Sequence, residues 1–265
     1  MSTRKTSGKV YLVGAGPGAP DLLTIRATRL LARADVVFYD ALVAASIIDL
    51  ATRAEKIAVG KRCGRHSTAQ RFINKRLVDA AQRHTVVVRL KGGDPMMFGR
   101  AQEEINALHK AGIACEVVPG VTSALAASAE LGISLTRRGI SRAVTFVTPR
   151  SAPGKAGSNW VRSVCAADAA AVYMAGGEAA SIASTLIANG LAPEVPVIVV
   201  EDATLPSMKK TSMTLAELQA SSSSVTHGGP ALILIGEVFG QDISTRTIKR
   251  SDEFSLPAPA ASLCA

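Results

Sequence analysis

At 265 residues, with 48% of them hydrophobic and 19% charged, the chain has material for one large globular domain or two small ones, and it is not a disordered polymer. No apolar run approaches the ~18 residues of a membrane span. The net charge of +9 asks for an anionic partner, yet aromatics make up only 4% and no Lys/Arg stripe carries stacking residues, which weighs against nucleic acid.

Residues 1–7 are polar and read as a flexible tail. Lys9 to Val13 reads as a first strand running into Gly14-Ala15-Gly16-Pro17-Gly18, and Asp21 is placed to cap a helix from about Leu22 to Arg33. Asp35 to Tyr39 is a second strand with Asp40 at its carboxyl end. A short helix around Ala45 to Arg53 precedes a third strand, Lys56 to Val59, which enters Gly60-Lys61-Arg62-Cys63-Gly64. Ser67 opens a longer helix reaching Arg83. The β-branched run Val86-Val87-Val88 reads as a buried strand of a parallel sheet. It breaks at Gly92-Gly93-Asp94-Pro95, where two residues without a Cβ let a ligand lie against the backbone. A helix from about Gly99 to Ala111, a strand Cys115 to Val118, the turn Pro119-Gly120 and a small-residue helix Thr122 to Leu131 follow.

Strand alternating with helix marks a parallel sheet with helices on both faces. Near Gly139 the texture changes. Ala143 to Val147 starts a new strand, Pro149 to Ser158 reads as a loop, and Ala169 to Tyr173, Val197 to Val200 and Ala231 to Ile235 are further strands. Helices are expected at Glu178 to Ala188 and Thr214 to Ala220, with a loop at Ser221 to Ser224. The reading is therefore two α/β domains, 8–139 with the glycine loops and 140–240 with a mixed sheet, between tails 1–7 and 241–265. The four cysteines form no CxxC pair, and the basic N-terminus lacks the apolar stretch of a secretory signal. A disulfide frame, a zinc site and export are not expected, and the cytoplasm is the default address.

Basic residues collect beside the glycine loops: Lys61-Arg62, Arg65, Arg89, Lys91, Arg100 and Arg137-Arg138. That placement favours a small polyanion in a cleft. Gly14 to Ala19 satisfies GxGxx(G/A), with Asp40 near the spacing of a dinucleotide fold's ribose acid. The dinucleotide reading nevertheless leaves GGDP and the Pro119-Gly120-Val121-Thr122-Ser123 loop without a purpose, and Pro17 and Pro20 make a poor start for a phosphate-binding helix.

Four features together are more specific: VGAGPG with LLT after it, GKRCGRHS at Gly60–Ser67, VVRLKGGDPMMFGR, and VVPGVTSA, with Tyr173-Met174 in the second half. In these the chain, from about Gly8 to Gly240, closely resembles the tetrapyrrole methylases. The resemblance implies two α/β domains of that family's type, with S-adenosylmethionine bound in the cleft between them, in a homodimer acting on a small-molecule tetrapyrrole with no nucleic acid or membrane partner. Within the family the match is to members that methylate C2 and C7 of uroporphyrinogen III to give precorrin-2, the branch point to sirohaem and cobalamin. S-adenosylhomocysteine is the co-product, and no metal is required.

Carried over residue by residue, the resemblance puts Pro17, Gly92, Gly93, Asp94, Met97, Thr122, Ser123, Met174, Ala203 and Ala231 against the cofactor. Asp40 is the candidate proton acceptor and Lys61 the candidate proton donor or carboxylate anchor. Arg62, His66, Arg100 and Arg137 are the candidate substrate contacts. Bland roles stand beside these: Asp40 as a cap on the next helix, Lys61 as an anion clamp only, Met174 as core. The chain departs from the family's usual pattern at Ala41, at Leu135-Thr136-Arg137-Arg138, at Phe98 to Glu104 and at Thr148-Pro149-Arg150, all near the expected substrate trough. A later corrin intermediate as acceptor, a non-catalytic tetrapyrrole or cofactor binder, and an NAD-type oxidoreductase are the competing readings.

Overall fold

The run Val86-Val87-Val88 forms the start of a strand that continues to Lys91, and this strand lies at the centre of its sheet. A computed structural model describes residues 8–60, 70–150, 159–221, 226 and 228–240. The chain divides into two compact units, the first ending at Val121 and the second beginning at Thr122.

The first unit carries strands β1 (Lys9–Gly14), β2 (Val36–Tyr39), β3 (Glu55–Ala58), β4 (Val86–Lys91) and β5 (Cys115–Val118). All pairings are parallel and the order is β3-β2-β4-β1-β5. Helices α1 (Ile25–Arg33), α2 (Ala45–Ile48), α3 (Gln70–Ala81) and α4 (Ala101–Lys110) connect them. Side-chain alternation sorts the core. Val10, Leu12, Val36, Phe38 and Val87 pack with Ile73, Leu77 and Leu108 of α3 and α4. Val13, Val37, Val88 and Leu90 pack with Leu30, Leu31 and Ile47 of α1 and α2. A fully buried leucine such as Leu77 contributes about 2 kcal/mol. Because every strand runs the same way, Gly14, Tyr39, Lys91 and Val118 end at one edge, where open α/β sheets bind ligands.

Asp21 does not cap α1. It sits in a 3-10 turn over Pro20–Leu22, and Thr24 is the cap, its hydroxyl accepting from Ala27 N at 3.1 Å. Pro20 fixes that turn, and Leu23 and Thr24 are extended, so the helix starts later than its apolar pattern suggested. The expected cap Ser67 lies outside the described residues, as do the tails and most of the loop expected at Pro149 to Ser158.

The second unit holds β6 (Val144–Val147), β7 (Ala169–Tyr173), β8 (Pro196–Glu201), β9 (Lys209–Thr214) and β10 (Ala231–Gly236) in the order β6-β7-β10-β8-β9. Only β6 and β7 pair in parallel, so the sheet is mixed, as expected. Its helices are α5 (Ser123–Leu131), α6 (Trp160–Ala166), α7 (Ala179–Ala188) and α8 (Leu215–Ala220). The texture change near Gly139 suggested a boundary at 139/140, but packing draws the line earlier. Ala124, Ala127 and Leu131 of α5 join Ala171, Ile198, Leu232 and Leu234 in the second unit's core. Two elements were not anticipated. The edge strand β9 pairs only with β8 and has four exposed residues, so it lacks apolar alternation. The seven-residue α6 is too short to show a period. Among the described residues, no helix is long and apolar enough to cross a membrane.

Candidate active site

In the first unit three loops meet where β1, β4 and β5 end. Gly16 and Gly93 form a two-way bridge: Gly16 N donates to Gly93 O at 3.1 Å and Gly93 N to Gly16 O at 2.7 Å. A Cβ on Gly120 would lie 2.4 Å from Gly93 O, and one on Gly14 would lie 2.6 Å from Gly120 N. These glycines are needed because backbone packs on backbone. Asp94 fastens the arrangement. Its Oδ1 accepts from Met96 N at 2.8 Å and its Oδ2 from Gly120 N at 2.9 Å, tying the GGDP loop to the Pro119-Gly120 turn. Gly92 differs: a Cβ there would meet only Leu42 Cβ, at 3.3 Å, and Leu42 is largely exposed. No backbone atom stands against the Cα of Gly92, and Pro17 and Met97 are half-buried in the loops around it.

Asp40 stands at the end of β2, beside this junction. Its carboxylate does not cap α2, whose cap residue is Ala44 with no side-chain hydrogen bond. Instead Arg89 Nη2 donates to Asp40 Oδ1 at 2.5 Å. Arg89 Nε also donates to Glu104 Oε1 at 3.0 Å, and Nη1 to Leu90 O at 3.2 Å and Phe38 O at 3.5 Å. Lys91 Nζ donates to both oxygens of Glu104, at 3.3 and 3.2 Å, and Gln70 Nε2 adds a further bond to Oε1 at 3.1 Å. The side chains of Arg89 and Glu104 are 2% and 0% exposed, against 29% for Asp40, so Asp40 is the outward end of a buried network.

The electrostatics follow from that burial. Desolvation pushes the Arg89 guanidinium down, but the Asp40 and Glu104 carboxylates outweigh it and hold Arg89 above its ordinary range. Burial lowers Lys91, and the charge of Arg89 lowers it further, against the pull of Glu104. Two cations expected to face a polyanion are thus neutralised inside the fold. Arg100, another of that set, pairs with Glu103 at the surface, Nε to Oε1 at 2.8 Å, and occupies a left-handed turn at the start of α4. Lys61, Arg62, Arg65 and His66 lie outside the described residues. Gly60, which leads into them, packs on the Asp40–Ala41 backbone, where its Cβ would fall 2.6 Å from Ala41 N.

In the second unit a separate edge gathers the remaining candidates. Tyr173 OH lies 2.8 Å from Thr122 Oγ1 and accepts from Ala124 N at 3.3 Å, joining the start of α5 and Ser123 to the end of β7. Met174, next in the chain, is left-handed at φ 58° and partly exposed. Asp202 (φ 49°) and Thr204 (φ 72°) share that conformation on either side of Ala203, just past β8. Ala231 opens β10 opposite Glu201. Asp202 N donates to Pro230 O at 3.1 Å, and Gly229 N to Glu201 Oε1 at 3.3 Å, so the ends of β8 and β10 are laced together. Each left-handed non-glycine residue costs on the order of 1–3 kcal/mol, and such strain collects where ligands are held. Arg137 lies elsewhere in this unit, in an exposed turn bridged to Ser141.

The structure therefore brings Pro17, Asp40, Gly92, Gly93, Asp94 and Met97 together in one unit, and Thr122, Ser123, Met174, Ala203 and Ala231 in the other. Arg89, Glu104 and Tyr173 were missed as site residues. The alternation Arg89-Leu90-Lys91 was the available signal, since it places two cations on a sheet face that is otherwise apolar.

The family model of the tetrapyrrole (corrin/porphyrin) methylases matches residues 9–219. A siroheme synthase of Chromobacterium violaceum is 46% identical over 88% of the chain, which covers 50% of that protein. The chain spans about half the length of the siroheme synthases it matches. A uroporphyrinogen-III C-methyltransferase of Synechocystis is 41% identical, over 90% of this chain and 92% of its own. Among solved structures, the uroporphyrin-III C-methyl transferase of Thermus thermophilus, complexed with S-adenyl homocysteine, is 40% identical with a TM-score of 0.77, over 87% of this chain and 98% of that one.

Proposed function

The chain belongs to the tetrapyrrole methylases, and from that premise we propose that it methylates uroporphyrinogen III at C2 and C7, giving precorrin-2 for sirohaem or cobalamin. The observation that carries the reading is the near full-length match to a uroporphyrinogen-III C-methyltransferase, 41% identical over 92% of that relative. When bound, S-adenosylmethionine supplies an electrophilic methyl on a sulfonium.

The residues fit such a group. Gly92 offers a backbone face that no other main chain covers, Gly93 and Asp94 fix its loop, and Met174 and Ala203 stand at the strained edge of the second unit. Pro17, Met97, Thr122, Ser123 and Ala231 complete the proposed contacts. Asp40, partly exposed and paired with the Arg89 guanidinium, takes the proton that the ring loses after the new C–C bond has formed. A weak base suffices, because a ring that has gained an alkyl group and not yet lost its proton is a cationic acid. Lys61 gives a proton back or anchors a carboxylate, and Arg62, His66, Arg100 and Arg137 bind the acidic arms of the ring. The net charge of +9 supports a polycarboxylate substrate. The active form is a homodimer in the cytoplasm.

The test is incubation of the protein with labelled S-adenosylmethionine and uroporphyrinogen III. Two methyl groups transferred per ring is the expected result. Transfer only to a later corrin intermediate would overturn the acceptor, and binding of both ligands without transfer would overturn catalysis.

A further inference from the structure

Arg89 and Lys91 alternate onto the α3/α4 face of the first sheet, beside Val10, Leu12, Phe38, Ile73 and Leu77. The other strand residues on that face are apolar, and burying two cations there is costly unless each is fully paired. For stability alone, apolar residues of similar volume serve such a site as well or better. The retained charges therefore call for a role that hydrophobic residues cannot fill.

Geometry supplies one. Arg89 places donors on four acceptors at once: Nε on Glu104, Nη1 on Leu90 O and Phe38 O, and Nη2 on Asp40. A planar fork committed this way cannot turn without losing several bonds together. Glu104 is itself held by Lys91 and Gln70, on α4 and packed under the sheet. One carboxylate oxygen of Asp40 is thus fixed from beneath. Its other oxygen accepts from no donor among the described residues, and of the four ion-paired side chains Asp40 has appreciable exposure, 29% against 4% or less for Arg89, Lys91 and Glu104.

Resting on the function proposed above, we propose that Arg89 is a positioning residue for Asp40, and that Glu104, braced by Lys91 and Gln70, locks it in place. Glu104 fixes Arg89, Arg89 fixes Asp40 Oδ1, and Oδ2 is thereby aimed at the ring. Lysine at position 89 keeps the charge but not the fork, and cannot bridge Glu104 and Asp40 from one point.

The experiment is a double-mutant cycle of Arg89→Lys and Asp40→Asn in the full chain. Turnover is read at saturating uroporphyrinogen III, S-adenosylhomocysteine affinity by calorimetry, and folding by melting temperature. Arg89→Lys is expected to lower kcat about 10- to 100-fold, the effect of misplacing a catalytic group by an ångström or less, with cofactor affinity within about threefold of wild type. In the Asp40→Asn background the same change is expected to cost less than about threefold more, because the group it aims has gone. Full multiplication of the two losses, an unchanged kcat for Arg89→Lys, or a loss of cofactor affinity matching the loss of turnover would each overturn the proposal. Should Arg89→Lys melt far below wild type, Glu104→Gln, which keeps the shape of the brace, enters the same cycle with the same criteria. A wild-type chain that transfers no methyl would bring down the parent function instead, before any variant is made.

Discussion

The junction of three loops makes one prediction sharp enough to separate two glycines that look alike in the sequence. Gly120→Ala would set a Cβ 2.4 Å from Gly93 O, 2.9 Å from Gly14 Cα and 3.1 Å from Gly14 C. All three are backbone atoms, and the Gly93 carbonyl is already bonded to Gly16 N, so none of them can move alone. Relief requires parting the loops, which stretches the Asp94 to Gly120 bond. Overpacking of this kind costs about 1–3 kcal/mol, and each kcal/mol lowers the melting temperature by ~2–4 °C in a chain of this size. The expected shift is therefore about 2–12 °C, with weaker binding of S-adenosylhomocysteine because the GGDP loop moves. Gly92→Ala meets only the exposed Leu42 side chain at 3.3 Å, so its melting temperature should stay within about 2 °C of wild type. Its new methyl instead intrudes on the proposed cofactor surface and should weaken binding. Calorimetric scans and titrations of the two variants decide the matter. If Gly120→Ala melts with wild type, or Gly92→Ala binds S-adenosylhomocysteine as tightly as wild type, the assignment of packing to one glycine and ligand contact to the other is wrong.

Three further outcomes are expected. Asp40→Asn should reduce kcat far more than it reduces S-adenosylhomocysteine affinity; equal losses in steady-state and binding assays would reassign Asp40 to structure. Glu104→Ala strands the buried Arg89 and Lys91 side chains, a change worth about 3–5 kcal/mol, and a loss under 1 kcal/mol in urea denaturation would contradict the buried network. Burial, reinforced by Glu104, pushes the Cys115 thiol up to about 11 from its ordinary 9.0, so its thiolate at pH 8 is roughly 100-fold scarcer than for an unperturbed cysteine. The peptide carrying Cys115 should resist iodoacetamide in the folded protein and react on unfolding, and prompt labelling at pH 8 would refute that burial.

What could be read from the sequence divides along a physical line. Parallel strands buried on both faces announce themselves as short β-branched runs, and the glycines and prolines after them announce the loops, so the first unit's sheet was legible from Lys9 to Val118. The polar edge strand β9 and the short helix α6 carry no such pattern and became visible only through their partners. The domain boundary failed for a related reason. Local texture changes at Gly139, but α5 is rich in small residues, and its membership is settled by which sheet its alanines fit.

The same distinction governs the site. Gly93, Asp94 and Gly120 were legible as a set because each sits in a turn whose composition is unusual, yet their partnership is with one another as much as with a ligand. Asp40 was legible as a carboxylate at a strand end, but its partner could not be inferred from composition, because basic residues near glycine loops look alike whether they face solvent or core. Alternation breaks that degeneracy. Arg89 and Lys91 occupy the positions in β4 that Val87 shares on the α3/α4 face, and a cation in that register must find a buried acid. Glu104, on the helix covering the face, is that acid, so the pairing was encoded once the period of the strand was taken as seriously as its glycines.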